Sequence, residues 1–291
     1  MKGESTMTKQ QKGTLMVFLA SVFYSLGGIC MKGIPWSGMA VNGGRTAIAV
    51  VVMALYMWLT HQKLRFNRWI FLGALAVSCT NILFAVANKM TTAANAIVLQ
   101  YTAPIFVIVL TAIFMHKRPG RLDLLACAVV FGGVLCFFVE SLSGGGLTGD
   151  MLALISGVTY AVVFMLNDLP DGDALSAAFF GHVISAVVGL PFVFQETEFG
   201  ATCMISMLVL GVFQVGFAFI CLGEGLKTTP AVTASLVSGL EPVLNPILVA
   251  LFYPGVDQIG FISLVGAVIV VGGVIGYNVL LAKNEQKVAS N

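Results

Sequence analysis

Residues 91–104 read TTAANAIVLQYTAP, and residues 229–242 read TPAVTASLVSGLEP. Set 138 positions apart, Thr91, Ala93, Ala96 and Pro104 fall on Thr229, Ala231, Ala234 and Pro242. Both stretches lie inside long apolar runs, and in both a proline interrupts the run part-way. The match extends outward: Leu110, Ala112 and Phe114 meet Leu248, Ala250 and Phe252, while Gly73, Val77, Ile82 and Lys89 meet Gly211, Val215, Ile220 and Lys227, still at 138. Further back, Gly44, Ala49, Val50 and Val51 meet Gly181, Ala186, Val187 and Val188 at 137, and Gly13, Val22 and Tyr24 meet Gly149, Val158 and Tyr160 at 136. At the far end Gly132, Gly133 and Val134 meet Gly272, Gly273 and Val274 at 140. An offset that drifts by four residues over a half-chain marks an internal duplication, with one repeat at 13–140 and the other at 148–282. Duplicated membrane segments are the usual build of secondary transporters.

The repeated material is apolar. Hydrophobic residues make up 58% of the chain and charged residues 10%, against roughly 45–50% and about 25% in globular proteins. A hydrocarbon core of ~30 Å takes ~20 mostly apolar residues per helix. Runs of that length stand at about 13–31, 36–60, 69–88, 91–115, 121–139, 149–166, 173–194, 201–223, 228–252 and 258–281. The expected fold is therefore an all-α membrane protein of ten transmembrane helices. The connections are too short for a soluble domain, and continuous apolar runs exclude a β-barrel, whose strands alternate. The first run aligns with the sixth and has no small-residue cleavage site, so it is read as a helix and not as a cleaved signal.

The basic residues predict orientation. With the N-terminus inside, Lys2, Lys9, Lys12, Lys63, Arg65, Arg68, Lys117, Arg118, Arg121, Lys227, Lys283 and Lys287 fall on the cytoplasmic face, and only Lys32 and Lys89 fall outside. That bias follows the positive-inside rule and puts both termini in the cytoplasm of a cell inner-membrane protein. Trp36, Trp58 and Trp69 fall at run ends, where an indole keeps its ring in the interface and its N–H wet. The positive charge is topological and gives no reason to expect nucleic acid. Five helices carry the chain to the opposite face, so the second repeat must enter the membrane upside down relative to the first. Two inverted halves can exchange conformations around a central site, which is the geometry of alternating access.

The Thr91–Pro104 segment and its copy ending in Glu241-Pro242, together with Gly149-Asp150 opening the sixth run and Arg45 in the second, resemble EamA-type transporters of the drug/metabolite transporter superfamily. The resemblance spans about Gly13 to Leu281. It implies export of a small metabolite across the cytoplasmic membrane without naming it, since relatives handle amino acids, nucleotide-type compounds, vitamins and drugs. One departure stands out. The Gly-Glu pair usual at the ends of helices four and nine is replaced by Met115-His116-Lys117-Arg118 and Tyr253-Pro254-Gly255.

The polar residues inside the apolar runs are the candidate site. A charge at mid-bilayer costs ~2.5–3.5 kcal/mol on insertion scales, so such residues usually face a cavity or a partner. Glu241 lies about halfway along the ninth run. A carboxyl taken out of water is easier to protonate, so Glu241 is the candidate for proton coupling. It could equally stay ionised and hold a substrate ammonium, or pack against a neighbouring helix. Pro104 and Pro242, with Pro246 one turn on, remove backbone hydrogen bonds and are expected to kink their helices. Interrupted helices at matching places point to a binding site bounded by Gln100, Tyr101, Ser238, Glu241 and Asn245. Arg45 could clamp a substrate carboxylate or snorkel to the interface. Its repeat equivalent His182 reads better as a packed core histidine. Tyr24, Tyr160, Asn81 and Gln214 could line the cavity or bond between helices.

The remaining features are structural. The glycine pairs at 132–133 and 272–273 and the Gly272…Gly276 spacing suit close helix packing in runs five and ten, with a homodimer face as one use. The six cysteines form no CxxC pair and the three histidines are scattered, so no metal or cofactor is expected. A membrane-embedded lipid-modifying enzyme would need a nucleophile–base pair, a metal set or a catalytic loop, and none gathers at one face. One acid and one base near a common cavity suit a zwitterion. The expected partners are therefore the lipid bilayer and a small solute of the amino-acid kind. A cationic drug would need Glu241 alone, and nucleoside-like solutes are a further alternative.

Overall fold

The computed structural model of the chain describes residues 7–31, 33–91, 93–116, 118–139, 146–252 and 260–289. Lys2, Lys32 and Lys117 of the basic count, and the Tyr253-Pro254-Gly255 departure, lie outside the described residues. Everything described is helix or connection, with no strand among those residues. The helices are α1 (Lys9–Tyr24), α2 (Gly27–Met31), α3 (Gly38–Leu59), α4 (Arg68–Met90), α5 (Ala93–Gln100), α6 (Ala103–Phe114) and α7 (Arg121–Phe138). After them come α8 (Leu147–Phe164), α9 (Ala174–Val193), α10 (Ala201–Val209), α11 (Ala218–Leu226), α12 (Ala231–Ser238), α13 (Glu241–Phe252) and α14 (Phe261–Ala289). Among the described residues, nine helical spans are long and apolar enough to cross a membrane. The remaining expected run, 121–139, is α7, an 18-residue helix packed along α14.

The starts are chemically marked. Thr8 and Gln11 cap α1 reciprocally, Ser37 caps α3, Asn67 accepts from Trp69 and Ile70 N–H at the head of α4, and Asp173 accepts from Ser176 N–H at the head of α9. Each supplies a side-chain oxygen to backbone donors that have no partner in the first turn. Three expected single helices are interrupted. The first run breaks between Tyr24 and Gly27, where Ser25 Oγ donates to Val22 O at 2.6 Å and a Gly27-Gly28 pair follows. Glycine and serine together are a common cause of a sharp bend. The fourth run breaks between α5 and α6 and the ninth between α12 and α13. Pro104 and Pro242 each stand second in the new helix, so the proline kinks of the sequence reading appear as short breaks in the α-helical ladder, where Thr102 N–H turns to Leu99 O and Gly239 N–H to Leu236 O. Pro246 lies further along α13, its side chain outside the described set.

Five helix pairs carry most of the packing: α3 on α9, α7 on α14, α4 on α8, α4 on α9 and α1 on α11. Every pair joins a helix from the first segment to one from the second; four run antiparallel, while α4 and α9 run parallel, with Gly73 beside Ala177 and Gly181 beside Val77. The start of α1 at Gly13 meets Gly225 near the end of α11; Gly149 at the start of α8 meets Met90 at the end of α4. Between α3 and α9 a Cβ on Gly43 would land on the Gly189 backbone, and one on Gly189 on Gly43. Only glycine permits that approach. In the last pair Gly133 sits against Val270 and Gly273 against Val129, whereas Gly132, Gly272 and Gly276 face open space. Apolar side chains such as Val51, Trp58, Phe114 and Val268 point outward, the surface that a lipid solvent requires.

The two ends differ. One gathers Lys9, Arg65, Arg68, Arg118 and Lys227, tied by Gln62 Nε2 to Glu224 (2.7 Å), Lys227 Nζ to Glu224 (2.7 Å) and Thr228 Oγ1 to Lys9 O (3.0 Å). The far end is closed by Trp36 Nε1 donating to Glu198 O (2.7 Å), Ser37 N–H to Glu196 (2.8 Å) and Thr91 Oγ1 to Asp150 (2.5 Å).

Candidate functional site

The site is built where the broken helices meet. Proline has no N–H, so Pro104 leaves the Gln100 carbonyl, and Pro242 the Ser238 carbonyl, without its usual helical donor. The chain ends one helix at Gln100 or Ser238 and starts the next at Ala103 or Glu241. Glu241 thus occupies the first turn of α13, where the helix dipole favours negative charge. Gly157 of α8 lets that helix close on the α5–α6 break, since a Cβ there would meet the Gln100 and Leu99 carbonyl oxygens at 2.9 and 3.0 Å.

Glu241 is half-buried and accepts a hydrogen bond from the Tyr101 hydroxyl across the two broken helices. Tyr24 from the end of α1, Tyr160 from α8 and Arg45 from α3 lie within its electrostatic reach. The Tyr101 and Tyr160 rings meet edge-to-face at 6.4 Å, and Tyr160 stands beside the fully buried Ser238.

Arg45 is only 8% exposed. Its Nη1 donates to Gln214 Oε1 at 3.3 Å and its Nη2 to Asn42 Oδ1 at 3.2 Å. Gln214 lies in a π-helical stretch, Leu210–Phe217, that joins α10 to α11. Its Nε2 and Asn245 Nδ2 both lie over Gly27 of α2, 3.5 and 3.8 Å from where a Cβ would stand. Arg45 and Glu241 do not form an ion pair: among the described residues, the pair within 4.0 Å is Lys227–Glu224. Around them Tyr24 Oη, Asn42 Nδ2, Arg45 Nε and His182 Nε2 are buried without a hydrogen-bond partner. Buried polar groups are nearly always paired, so a cluster of exceptions asks for a ligand or water.

Of the residues singled out from sequence, Glu241, Arg45, Tyr24, Tyr101, Tyr160, Ser238, Gln214 and Asn245 come together. Asn81 and Gln100 make their side-chain hydrogen bonds elsewhere. Asn81 Nδ2 donates to Val77 O of its own helix at 3.0 Å, and Gln100 Nε2 to Ser156 Oγ at 3.3 Å. Two contributors went unread. Asn42 precedes Arg45 by three residues and so shares its helix face, a legible signal. Phe219 stacks edge-on against Tyr24 at 5.4 Å and His182 at 4.3 Å, and nothing in its local sequence marks it. His182 is a core histidine only in part: Nδ1 lies 2.6 Å from Ala178 O, but Nε2 has no partner.

The profile of one family, described as the EamA-like transporter family, matches this chain twice, over residues 11–139 and 147–279. The chain belongs to the EamA-like transporter family. A Clostridium kluyveri protein named as an uncharacterized transporter is 25% identical, aligned over 97% of this chain and 98% of its own. YwfM of Bacillus subtilis, also named as an uncharacterized transporter, is 26% identical over 83% of this chain and 86% of its own. A solved crystal structure shares the fold with a TM-score of 0.79 at 16% identity, covering 92% of this chain and 97% of that one. This EamA-like chain is accordingly a multi-pass membrane transporter, and its relatives are named as transporters rather than enzymes.

Proposed function

We propose that the chain is a secondary active transporter that exports small amphipathic metabolites, amino acids first among them, by alternating access across the cytoplasmic membrane. One observation carries the reading. Arg45, buried, and Glu241, half-buried, lie within electrostatic reach of each other without pairing, and polar atoms around Arg45 lack partners. A buried cation and anion held apart are costly unless something bridges them. A zwitterion does so, with its carboxylate toward the free Nε–H of Arg45 and Asn42 Nδ2, and its ammonium toward Glu241. The tyrosine rings then offer apolar walls to the side chain.

The antiparallel pairing supports two inverted five-helix repeats. By the sequence offsets, α3 corresponds to α9 and α7 to the first part of α14, while the α4–α8 pair maps onto the pair formed by α11 and α1. A pseudo-two-fold axis in the membrane plane generates that pattern. The basic end is the cytoplasmic one, with both termini there. Glu241 is the proton-coupling group, alternating between a proton and the substrate ammonium.

Counterflow of labelled amino acids into proteoliposomes tests the reading, with and without an imposed pH gradient. Saturable exchange in the wild type, driven by the gradient and uncoupled from it by Glu241→Gln, is expected. If no amino acid exchanges, the zwitterion assignment is wrong.

A further inference from the structure

A cavity of about 510 Å³ opens at the basic end, lined by none of the residues of the central site. That volume is ample for a small solute, within the ~300–1,000 Å³ common for ligand sites. Its walls come from α6, α7, α12 and α14, with the start of α1 and the turn after α8. They are unusually polar for the interior of this chain. Asp123 Oδ2 accepts from Gly120 N–H at 3.0 Å, and Oδ1 accepts from the Tyr277 hydroxyl at 2.7 Å. Tyr277 Oη in turn lies 3.3 Å from Thr233 Oγ1, so one chain of contacts fixes the Asp123 carboxylate beside the first turn of α12. Each carboxylate oxygen still has room to accept from a further donor.

Beside it stands the head of α12. Pro230 precedes it with no side-chain cap, and the first intrahelical bond is Ala234 N–H to Pro230 O at 2.9 Å. The N–H groups of residues 231–233 therefore have no partner within the helix, and the dipole adds positive potential. Thr229 on the same wall is buried, its Oγ1 packed against Gly13 of α1. Arg118 and Lys227 line the rim on this side. The cavity thus places an anion acceptor and a cation acceptor on one lining, the same complementarity as the Arg45–Glu241 pair.

We propose that this cavity is a second solute site, taking a zwitterion with its ammonium on Asp123 and its carboxylate at the head of α12. Thr233 on α12 precedes Glu241 on α13 by eight positions, on the basic-end side of the helix break. The site is thus a loading position below the central one. Its ligand class rests on the reading of Arg45 and Glu241 as a zwitterion site.

Equilibrium binding of labelled L-leucine to the purified full-length protein in lipid nanodiscs tests this. Two leucines should bind per wild-type chain, and one each in Asp123→Asn and in Glu241→Gln. Tyr277→Phe keeps the ring but loses the hydroxyl that holds Asp123. It should weaken one of the two sites about tenfold, and it serves as the readout if Asp123→Asn fails to fold. One leucine per chain, lost in Glu241→Gln and kept in Asp123→Asn, would overturn the second site and leave the central reading intact. One leucine lost in Asp123→Asn and kept in Glu241→Gln would support the second site and overturn the central reading. Two leucines in Asp123→Asn, or none in the wild type, overturn the proposal.

Discussion

Arg45 directs its two terminal nitrogens at Gln214 and Asn42 and leaves Nε free. A lysine carries its three donors on a single nitrogen and lacks the guanidinium fork that reaches both acceptors. Arg45→Lys should therefore raise the half-saturation concentration for transport at least tenfold, since a hydrogen bond to a charged group is worth about 1.5–3 kcal/mol. Transport kinetics of that variant indistinguishable from wild type would remove Arg45 from the site. Tyr101→Phe takes away the hydroxyl that Glu241 accepts from, and a rise of similar size is expected in the same assay. At this scale the sequence was readable for side chains whose polarity has no local outlet. Glu241 and Arg45 stand out because a charge in an apolar run must find a partner. Asn81 and Gln100 are less legible, because an amide can satisfy itself on a nearby carbonyl or hydroxyl, here Val77 and Ser156. Phe219 looks like any other core aromatic until Tyr24 and His182 are seen on either side of it.

The two helix breaks are the elements that position the site, and each depends on one missing N–H. Pro104→Ala or Pro242→Ala would return a donor to the Gln100 or Ser238 carbonyl and let the two half-helices fuse. Thermal unfolding midpoints should hold or rise, while transport turnover drops about tenfold or more. A proline-free variant that transports at the wild-type rate would show that the breaks are incidental. Gly157→Val puts a branched side chain against the carbonyls of the α5–α6 break. It should cost roughly 1–3 kcal/mol as overpacking, read as a lowered unfolding midpoint. These breaks could be anticipated because proline announces itself at matching positions of both repeats. The break after Tyr24 had its signal in Ser25 and Gly27-Gly28, which went unread, whereas nothing in the local sequence marks the π-helical stretch around Gln214.

On the scale of the whole molecule, four antiparallel pairs hold the first segment to the second, and the far end is tied shut while the basic end holds a cavity. Under alternating access the far-end ties must open in each cycle. With the native cysteines replaced, a Thr91→Cys/Asp150→Cys cross-link should abolish transport under oxidation and release it on reduction. Unimpaired transport by the cross-linked protein would mean that this end does not move. The central claim is that Arg45 and Glu241 divide the two ends of a zwitterion between them. It is tested most directly by competition against counterflow of a labelled amino acid, using the unlabelled amino acid, its decarboxylated amine and its deaminated acid. The wild type should prefer the intact amino acid over both analogues. Arg45→Gln should no longer distinguish it from the amine, nor Glu241→Gln from the acid. Variants that both keep the wild-type order of preference would contradict the account.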